Sequence, residues 1–201
     1  MYHTGSSLDS RYGYVFDRYF TENDDIASLP DQSLLGGTRQ PGDLKYKDLN
    51  DDGVIDENDM TVIGNPKAPQ GSFGIGLGGA YKGFDLNILF NGAHGGTSYL
   101  SDYTYWAFHN KTGNVMEHHL GRWTPGSGQS ASYPRLSLSN ENNTVTSSYW
   151  VKDNTFFRLK NVELGYTLPV QITQKVGISK ARIFASGQNL LCWDKVDVID
   201  P

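Results

Sequence analysis

Residues 42–92 read GDLKYKDLNDDGVIDENDMTVIGNPKAPQGSFGIGLGGAYKGFDLNILFNG, and they decide the fold because an acidic loop leads directly into two long alternating segments. Strict alternation of bulky and small side chains is the pattern of a β-strand whose two faces differ. One face of the first segment carries Phe73, Ile75, Leu77, Gly79 and Tyr81. The opposite face carries Ser72, Gly74, Gly76, Gly78 and Ala80.

The chain turns at Lys82-Gly83 and returns through a second alternating arm. Its apolar positions are Phe84, Leu86, Ile88 and Phe90, and the positions between them are Asp85, Asn87, Leu89 and Asn91. Each arm runs roughly ten residues, the length that a tilted strand needs to cross a bilayer core. Strands of soluble sandwiches are usually nearer five or six residues. The pattern therefore predicts an antiparallel hairpin with an apolar outer face and a polar inner face.

Ahead of the hairpin, residues 48–59 have the spacing of a calcium-binding loop. Oxygen ligands at positions one, three, five, nine and twelve, with a main-chain carbonyl at seven, wrap one ion because a glycine at six reverses the chain. The predicted ligands of a structural Ca²⁺ are Asp48, Asn50, Asp52, the carbonyl of Val54, Asp56 and Asp59. Asp59 stands where an EF-hand has a longer glutamate, and no helical pattern flanks the loop. The form resembles the single loops of dockerins, and a solvated acidic turn is the alternative.

Composition limits the classes of protein that the chain can belong to. It has 201 residues and a net charge of -5 with no basic stripe, which argues against a nucleic-acid partner. Twelve Tyr and 23 Gly favour an all-β protein. No run of eighteen apolar residues is present, so helical membrane spans are not expected. Cys192 is the single cysteine, which excludes an internal disulfide and a cysteine-based zinc site.

The rest of the chain divides into strand-like and loop-like stretches. Alternating patterns return in 149–169 and from Ala181 onward, whereas 95–148 is rich in Gly, Ser, Asn and Thr with scattered aromatics. We expect 95–148 to be a long, surface-exposed extracellular loop. The fold class predicted for residues 1–201 is all-β, with roughly six to eight antiparallel strands of a larger transmembrane β-barrel in one curved, open sheet.

Several runs of residues together carry a resemblance to one family. They are PGDLKYKDLNDDGVIDENDMTVIGNP at 41–66, FGIGLGGAYKGFDLNILFNGAHGG at 73–96, RWTP at 122–125, YPRL at 133–136, SSYWVKDNTFFRLKNVELGYTLP at 147–169 and ARIFASGQNLLCW at 181–193. On these runs the chain resembles the C-terminal barrel part of SusC/RagA-type TonB-linked outer membrane proteins, the TonB-dependent receptors.

The resemblance implies a 22-stranded barrel with an N-terminal plug in a Gram-negative outer membrane. It also implies import of glycans or peptides together with a SusD-like surface lipoprotein, driven by the TonB complex. The sequence shows neither a signal-peptide pattern nor a plug or TonB box, so we expect a piece of a longer protein that meets TonB through regions outside it. Outer-membrane lipid is the remaining expected partner, and no enzymatic activity is expected.

Metal-dependent and glycosidase chemistry find little support in the residues. His94, His109, His118 and His119 lack a zinc motif and are expected to be solvated loop residues. The carboxylates of Asp102, Glu117, Asp153 and Glu163 are scattered without a glycosidase signature. Two alternatives to a transporter remain: a soluble extracellular calcium-binding, dockerin-like module, and a glycan-binding or glycan-active β-protein.

Overall fold

The computed structural model describes residues 7, 9–139 and 141–196, and most of their regular structure is antiparallel strand. The all-β class predicted from the sequence is confirmed. The strands in these residues are β1 (Arg11–Gly13), β2 (Phe16–Tyr19), β3 (Leu44–Tyr46), β4 (Thr61–Gly64), β5 (Gly71–Tyr81), β6 (Phe84–His94), β7 (Thr97–Tyr99), β8 (Val151–Asp153), β9 (Phe156–Thr167) and β10 (Arg182–Asp194).

Helical structure in the described residues is limited to short turns. One four-residue helix, α1 (Val170–Thr173), connects β9 to β10. The 3-10 turns span Ile26–Ser28, Ser33–Leu35, Glu57–Asp59, Asp102–Thr104, His109–Lys111, Glu117–Gly121, Gly128–Ser130, Glu141–Thr144, Ser148–Trp150 and Gln174–Val176. Within the part of the chain that the structure describes, no helix is long and apolar enough to cross a membrane.

The chain forms two compact units that interleave in sequence. The first contains the described residues up to Lys67 together with Thr97–Lys152, and the second contains Ala68–Gly96 together with the described residues from Asp153 onward. The first unit is built from three two-stranded ribbons, β1–β4, β2–β3 and β7–β8. The second unit is one four-stranded sheet.

The core of the first unit is aromatic. Its fully buried large side chains include Trp150, Tyr46, Phe20, Leu44 and Ile55. Burial of each such side chain contributes about 1.5–3 kcal/mol, which short ribbons need because they have few ladder hydrogen bonds. Trp150 follows just after the segment predicted to be a loop and packs on three rings of that segment, those of Tyr105, Trp106 and Tyr133.

A buried polar network joins distant parts of the first unit. The side-chain amide of Gln32 donates to the carbonyl of Leu44 at 3.2 Å and accepts from the main-chain amide of Tyr46 at 2.9 Å. It thus makes the two hydrogen bonds to β3 that the main chain of a neighbouring strand would make. Asn142 donates to the same carbonyl of Leu44 at 2.8 Å. These hydrogen bonds hold the edge of β3 against the 141–144 turn. The buried side-chain amides of Gln32 and Asn142 each have a partner, so their burial carries no cost from an unmade hydrogen bond.

The second unit is an antiparallel sheet with the strand order β5, β6, β9, β10. β5 and β6 pair without a register shift from Gly71↔His94 to Tyr81↔Phe84, as the alternation predicted. The two-residue turn between them has φ of 48° at Lys82 and 89° at Gly83, which matches the right-handed twist of the strands. β9 and β10 contain extra residues near Lys160 and Asn189, where the register shifts.

The prediction of six to eight strands in a single sheet is wrong for the described residues, in which the sheet has four. The reason is visible in Tyr12–Phe20, whose alternating aromatic side chains predict one continuous strand. The amide of Tyr14 donates to the carbonyl of Thr146, and the carbonyl of Tyr14 accepts from the amide of Ser148. Since Tyr14 pairs there, β1 and β2 turn to different partners and each stays short.

Candidate functional site

One face of the four-stranded sheet is apolar from edge to edge. Because directly opposed residues of antiparallel strands share a face, the register defines five rows across the sheet. The rows are Phe73-Gly92-Phe157-Trp193, Ile75-Phe90-Leu159-Leu191, Leu77-Ile88-Val162-Gly187, Gly79-Leu86-Leu164-Ala185 and Tyr81-Phe84-Tyr166-Ile183. Leu77 is 56% exposed and Tyr81 72% exposed, so this face is not covered by the described residues. We call it the apolar face.

Aromatic side chains occupy the two ends of the apolar face. At one end, Phe157 stacks with Phe73 at 6.1 Å and with Trp193 at 5.7 Å between ring centroids. At the other end, Phe84 and Tyr166 lie 4.5 Å apart. The two end rows are eight residues apart along β5, or about 26 Å. That spacing is close to the height of about 25 Å of the apolar band between the aromatic girdles of outer-membrane barrels.

The opposite face of the sheet is mainly polar or small, and we call it the polar face. Arg182 on β10 reaches across β9, where its guanidinium donates to Glu163 Oε1 at 2.6 Å and to Asp85 Oδ1 on β6 at 3.0 Å. The guanidinium occupies the space that a Cβ on Gly165 would need. A side chain at Gly165 would therefore block this cross-strand ion pair.

The sequence could not identify the Arg182 network, because its members are separated by 19 and 97 residues. Other polar side chains on this face are Asn87, Asn91, Arg158, Asn161, Ser186 and Gln188, placed by the register opposite one another. Facing them on β5 are only small residues. The arrangement gives a sheet with a hydrogen-bonding side and an apolar side, as the hairpin pattern predicted.

The acidic loop 48–59 is folded tightly around its own amides. Asp48 accepts from the amide of Gly53 at 2.8 Å, and Asp52 accepts from the amide of Val54 at 2.9 Å. Gly53 has φ of 83°, which is the positive value expected for the sharp turn. Asn50 lies between them, and its side chain donates to Asp52 at 2.9 Å. These predicted ligands are therefore brought together.

The closing residues of the loop have different surroundings. Asp59 is fully buried and accepts from the amides of Leu49 at 2.7 Å and Asp56 at 2.9 Å. Asp56 caps the following turn by accepting from the amide of Asn58 at 2.7 Å. The loop is anchored by Ile55, which is buried and whose amide donates to the carbonyl of Asp31. Sequence reasoning missed this anchor, since Asp31 lies far outside the motif.

The fit of the loop to calcium is partial. Its carboxylate, amide and carbonyl oxygens are the hard donors that Ca²⁺ prefers. Among the described residues, however, no three His, Cys, Asp or Glu side chains converge on a point that could hold a metal ion. The carboxylate oxygens of Asp48 and Asp52 accept hydrogen bonds from loop amides instead. The ligand set stays a prediction, and an ion would have to compete with these hydrogen bonds.

Within the predicted loop 95–148, residues 97–148 belong to the first unit and have buried side chains. Tyr105, Trp123 and Tyr133 are buried, and the hydroxyl of Tyr133 accepts from the amide of Ala107 at 3.0 Å. His119 is only 1% exposed, so the expectation of a solvated histidine is wrong there. The segment lacks long strands because Gly, Asn and Pro favour turns, but its aromatic side chains still pack together.

Comparisons with known proteins agree with this geometry. No family model matches the chain. TonB-dependent receptor P3 of Formosa agariphila is 30% identical over 198 residues, which cover 98% of this chain and 19% of the relative. TonB-dependent receptor P26 of the same organism is 31% identical over 180 residues, covering 90% of this chain and 17% of the relative. The chain is a homologue of the TonB-dependent receptors. The predicted family resemblance is thereby confirmed.

Solved structures give the same fold. A chain of the RagAB peptide importer in its open-open state matches with a TM-score of 0.60 at 20% identity, over 93% of this chain and 19% of that chain. The closed-closed state gives a TM-score of 0.62 with 93% and 20% coverage. This chain thus spans about a fifth of the length of the proteins that it matches. These relatives are named as receptors and importers, not as enzymes.

Proposed function

We propose that the chain is part of the wall of a transmembrane β-barrel in the outer membrane of a Gram-negative cell, where it belongs to a TonB-dependent nutrient importer. The observation that carries the proposal is the register of the four-stranded sheet, which collects Phe, Ile, Leu and Tyr on one exposed face and charged or amide side chains on the other. An apolar face of this extent in water would favour aggregation. Against lipid it is stable, while the polar face borders a hydrated interior.

The wall position is tested by the accessibility of single cysteines in the full-length receptor. In a Cys192→Ser background, Leu77→Cys on the apolar face is expected to resist a water-soluble maleimide in intact outer membranes. Asn87→Cys on the polar face is the matched control, because Gly78 pairs with Asn87 and directly follows Leu77. It is expected to react. Equal and fast labelling of both cysteines would contradict the barrel and favour a soluble module.

We further propose that 95–148 lies on the extracellular side and contacts a SusD-like lipoprotein or the incoming substrate. Exposed apolar side chains on this segment include Leu120 at 73% and Leu138 at 60%. Apolar side chains at such positions suit a protein interface. A glycan or a peptide is the proposed cargo class, since RagAB is described as a peptide importer and sugars also bind to aromatic surfaces.

The partner proposal is tested by substitution, because the buried residues of 97–148 make a deletion disruptive. Leu120→Ser and Leu138→Ser together are expected to reduce co-purification of the lipoprotein with the receptor at least several-fold. Leu34→Ser is the control, since Leu34 is equally exposed in the same unit but lies outside the segment. Unchanged co-purification in the double variant would remove the interface from this segment.

We also propose that loop 48–59 binds one structural Ca²⁺ weakly, on the order of 10⁻⁴ to 10⁻³ M, as extracellular modules do. The ion would replace amide hydrogen bonds at Asp48 and Asp52 and offset the repulsion between the loop carboxylates. Calorimetry of the receptor should detect calcium binding that Asp48→Ala and Asp52→Ala abolish. Asp51→Asn is the control, because it removes a charge at a position that supplies no ligand. Absence of heat and of thermal stabilisation at several millimolar calcium would favour the solvated turn.

A further inference from the structure

Two adjacent histidines in the first unit share a single hydrogen-bond acceptor. Nε2 of His118 and Nε2 of His119 each lie 2.9 Å from the carbonyl oxygen of Tyr105. The ring of His118 stacks on that of Tyr105 at 4.4 Å and 9°, and the two imidazole centroids are 4.0 Å apart. The pair therefore joins the Asp102–Thr104 turn to the Glu117–Gly121 turn.

The hydrogen bonds of His119 define its protonation state. Its Nδ1 accepts from the amide of Met116 at 2.7 Å, so Nδ1 carries no proton. Its Nε2 must then be the protonated nitrogen that donates to Tyr105. A second proton could only be added at Nδ1, where it would face the amide N–H of Met116 and break the bond that begins the turn.

Within the part of the chain that the structure describes, no carboxylate contacts the pair to balance a positive charge. The rings in contact with the pair are those of Tyr105 and Tyr133. Among the ionisable side chains on the elements that pack here, Glu117 is exposed, Asp102 lies 3.9 Å from His109, Arg135 pairs with Asp43, and Lys152 lies over the ring of Tyr149. No described contact joins either histidine to a carboxylate.

We propose that His119, packed against His118, is a pH-sensitive latch: it holds the Asp102–Thr104 and Glu117–Gly121 turns together while its own imidazole is neutral and releases them when that imidazole is protonated. Burial lowers the pKa of His119 below its usual value. A histidine with a lowered pKa in the folded state stabilises the fold above its unfolded pKa of about 6.5. This stability is lost as the pH falls through the folded pKa, so the latch opens on the acidic side.

The latch is tested by hydrogen exchange in the full-length receptor, with rates corrected for the intrinsic effect of pH. Between pH 7.5 and pH 5.0, protection in peptides covering 102–121 is expected to fall with a slope of up to about tenfold per pH unit for one proton taken up. Peptides covering Leu44–Tyr46, in the same unit, are expected to keep their protection. His119→Asn retains an acceptor for the Met116 amide but cannot titrate, so it should lose the pH dependence.

The control variant is His109→Gln, which removes a histidine outside the latch and should keep the wild-type response. Unchanged wild-type protection at pH 5.0, or the same loss in His119→Asn, would overturn the proposal. If the two turns are already unprotected at pH 7.5 in His119→Asn, a second measurement decides. Exchange of the imidazole C2 hydrogen of His119 in the wild type, followed as a function of pH, gives the titration midpoint of that imidazole. A titration midpoint below 6.5 that coincides with the loss of protection supports the latch, and a midpoint at or above 6.5 refutes it.

Discussion

Leu77→Arg is the sharpest test of the proposed membrane position, because Leu77 stands in the middle row of the apolar face. Each aromatic end row is four residues away from it, or about 13 Å along the strand. An arginine on the lipid face of a barrel costs about 2–4 kcal/mol at the midplane and about 0–1 kcal/mol near the interfaces. We therefore expect Leu77→Arg to destabilise the receptor by about 2–4 kcal/mol and Tyr81→Arg, at the end row, by less than about 1 kcal/mol.

The polar face provides the matched control for this series. Asn87→Arg places the same side chain beside Glu163, which the register puts directly opposite. A cross-strand pair of opposite charges contributes roughly 0.2–1 kcal/mol, so this variant should be neutral or slightly stabilised. The measurement is urea denaturation of each variant reconstituted in phosphatidylcholine vesicles. Equal costs for Leu77→Arg and Tyr81→Arg, or a larger cost for Asn87→Arg, would refute the assignment of the faces.

Three further predictions concern the first unit. Ile55→Ala should cost about 2–5 kcal/mol because Ile55 is fully buried, whereas the exposed Val62→Ala should cost less than about 1 kcal/mol in the same denaturation experiment. Asp24→Asn should remove about 1.5–3 kcal/mol at pH 7, since Arg18 donates two hydrogen bonds to Asp24. The Arg18 hydrogen bonds lower the pKa of Asp24, so the stability of the wild type should fall as the pH drops below about 4. The same pH profile in Asp24→Asn would contradict this. Burial raises the pKa of Tyr46, so absorbance should show it ionising above pH 10 only when the chain unfolds; ionisation in the folded chain would disprove this.

The hairpin was predictable because β5 and β6 have no register shift, so every second residue stays on one face. β9 was harder to interpret. An extra residue at Lys160 switches the alternation, and only the pairing shows that Arg158 belongs on the polar face opposite Asn91. A bulge changes which face a side chain occupies without a clear mark in composition.

The acidic loop and the histidines show two further limits of sequence reasoning. The positive φ of Gly53 follows from local chemistry and was predicted. The burial of Asp59, which accepts from the amides of Leu49 and Asp56, was not predicted. The burial of His119 involves Tyr105 and Tyr133, each 14 residues away in the sequence. Residues 97–148 lack periodicity because their core is made by irregular turns, so the sequence showed their aromatic content but not their packing.

The reach of Arg182 across Gly165 has a consequence for how these proteins diverge. A side chain acquired at position 165 displaces the guanidinium and leaves Asp85 without its partner two strands away. Substitutions at these three positions are therefore not independent. In relatives aligned on these strands, a residue larger than glycine at 165 should be inherited together with a short side chain at 182 and an uncharged one at 85. Amino-acid covariation between β6 and β10 would then record a side-chain contact that passes over β9, the strand between them.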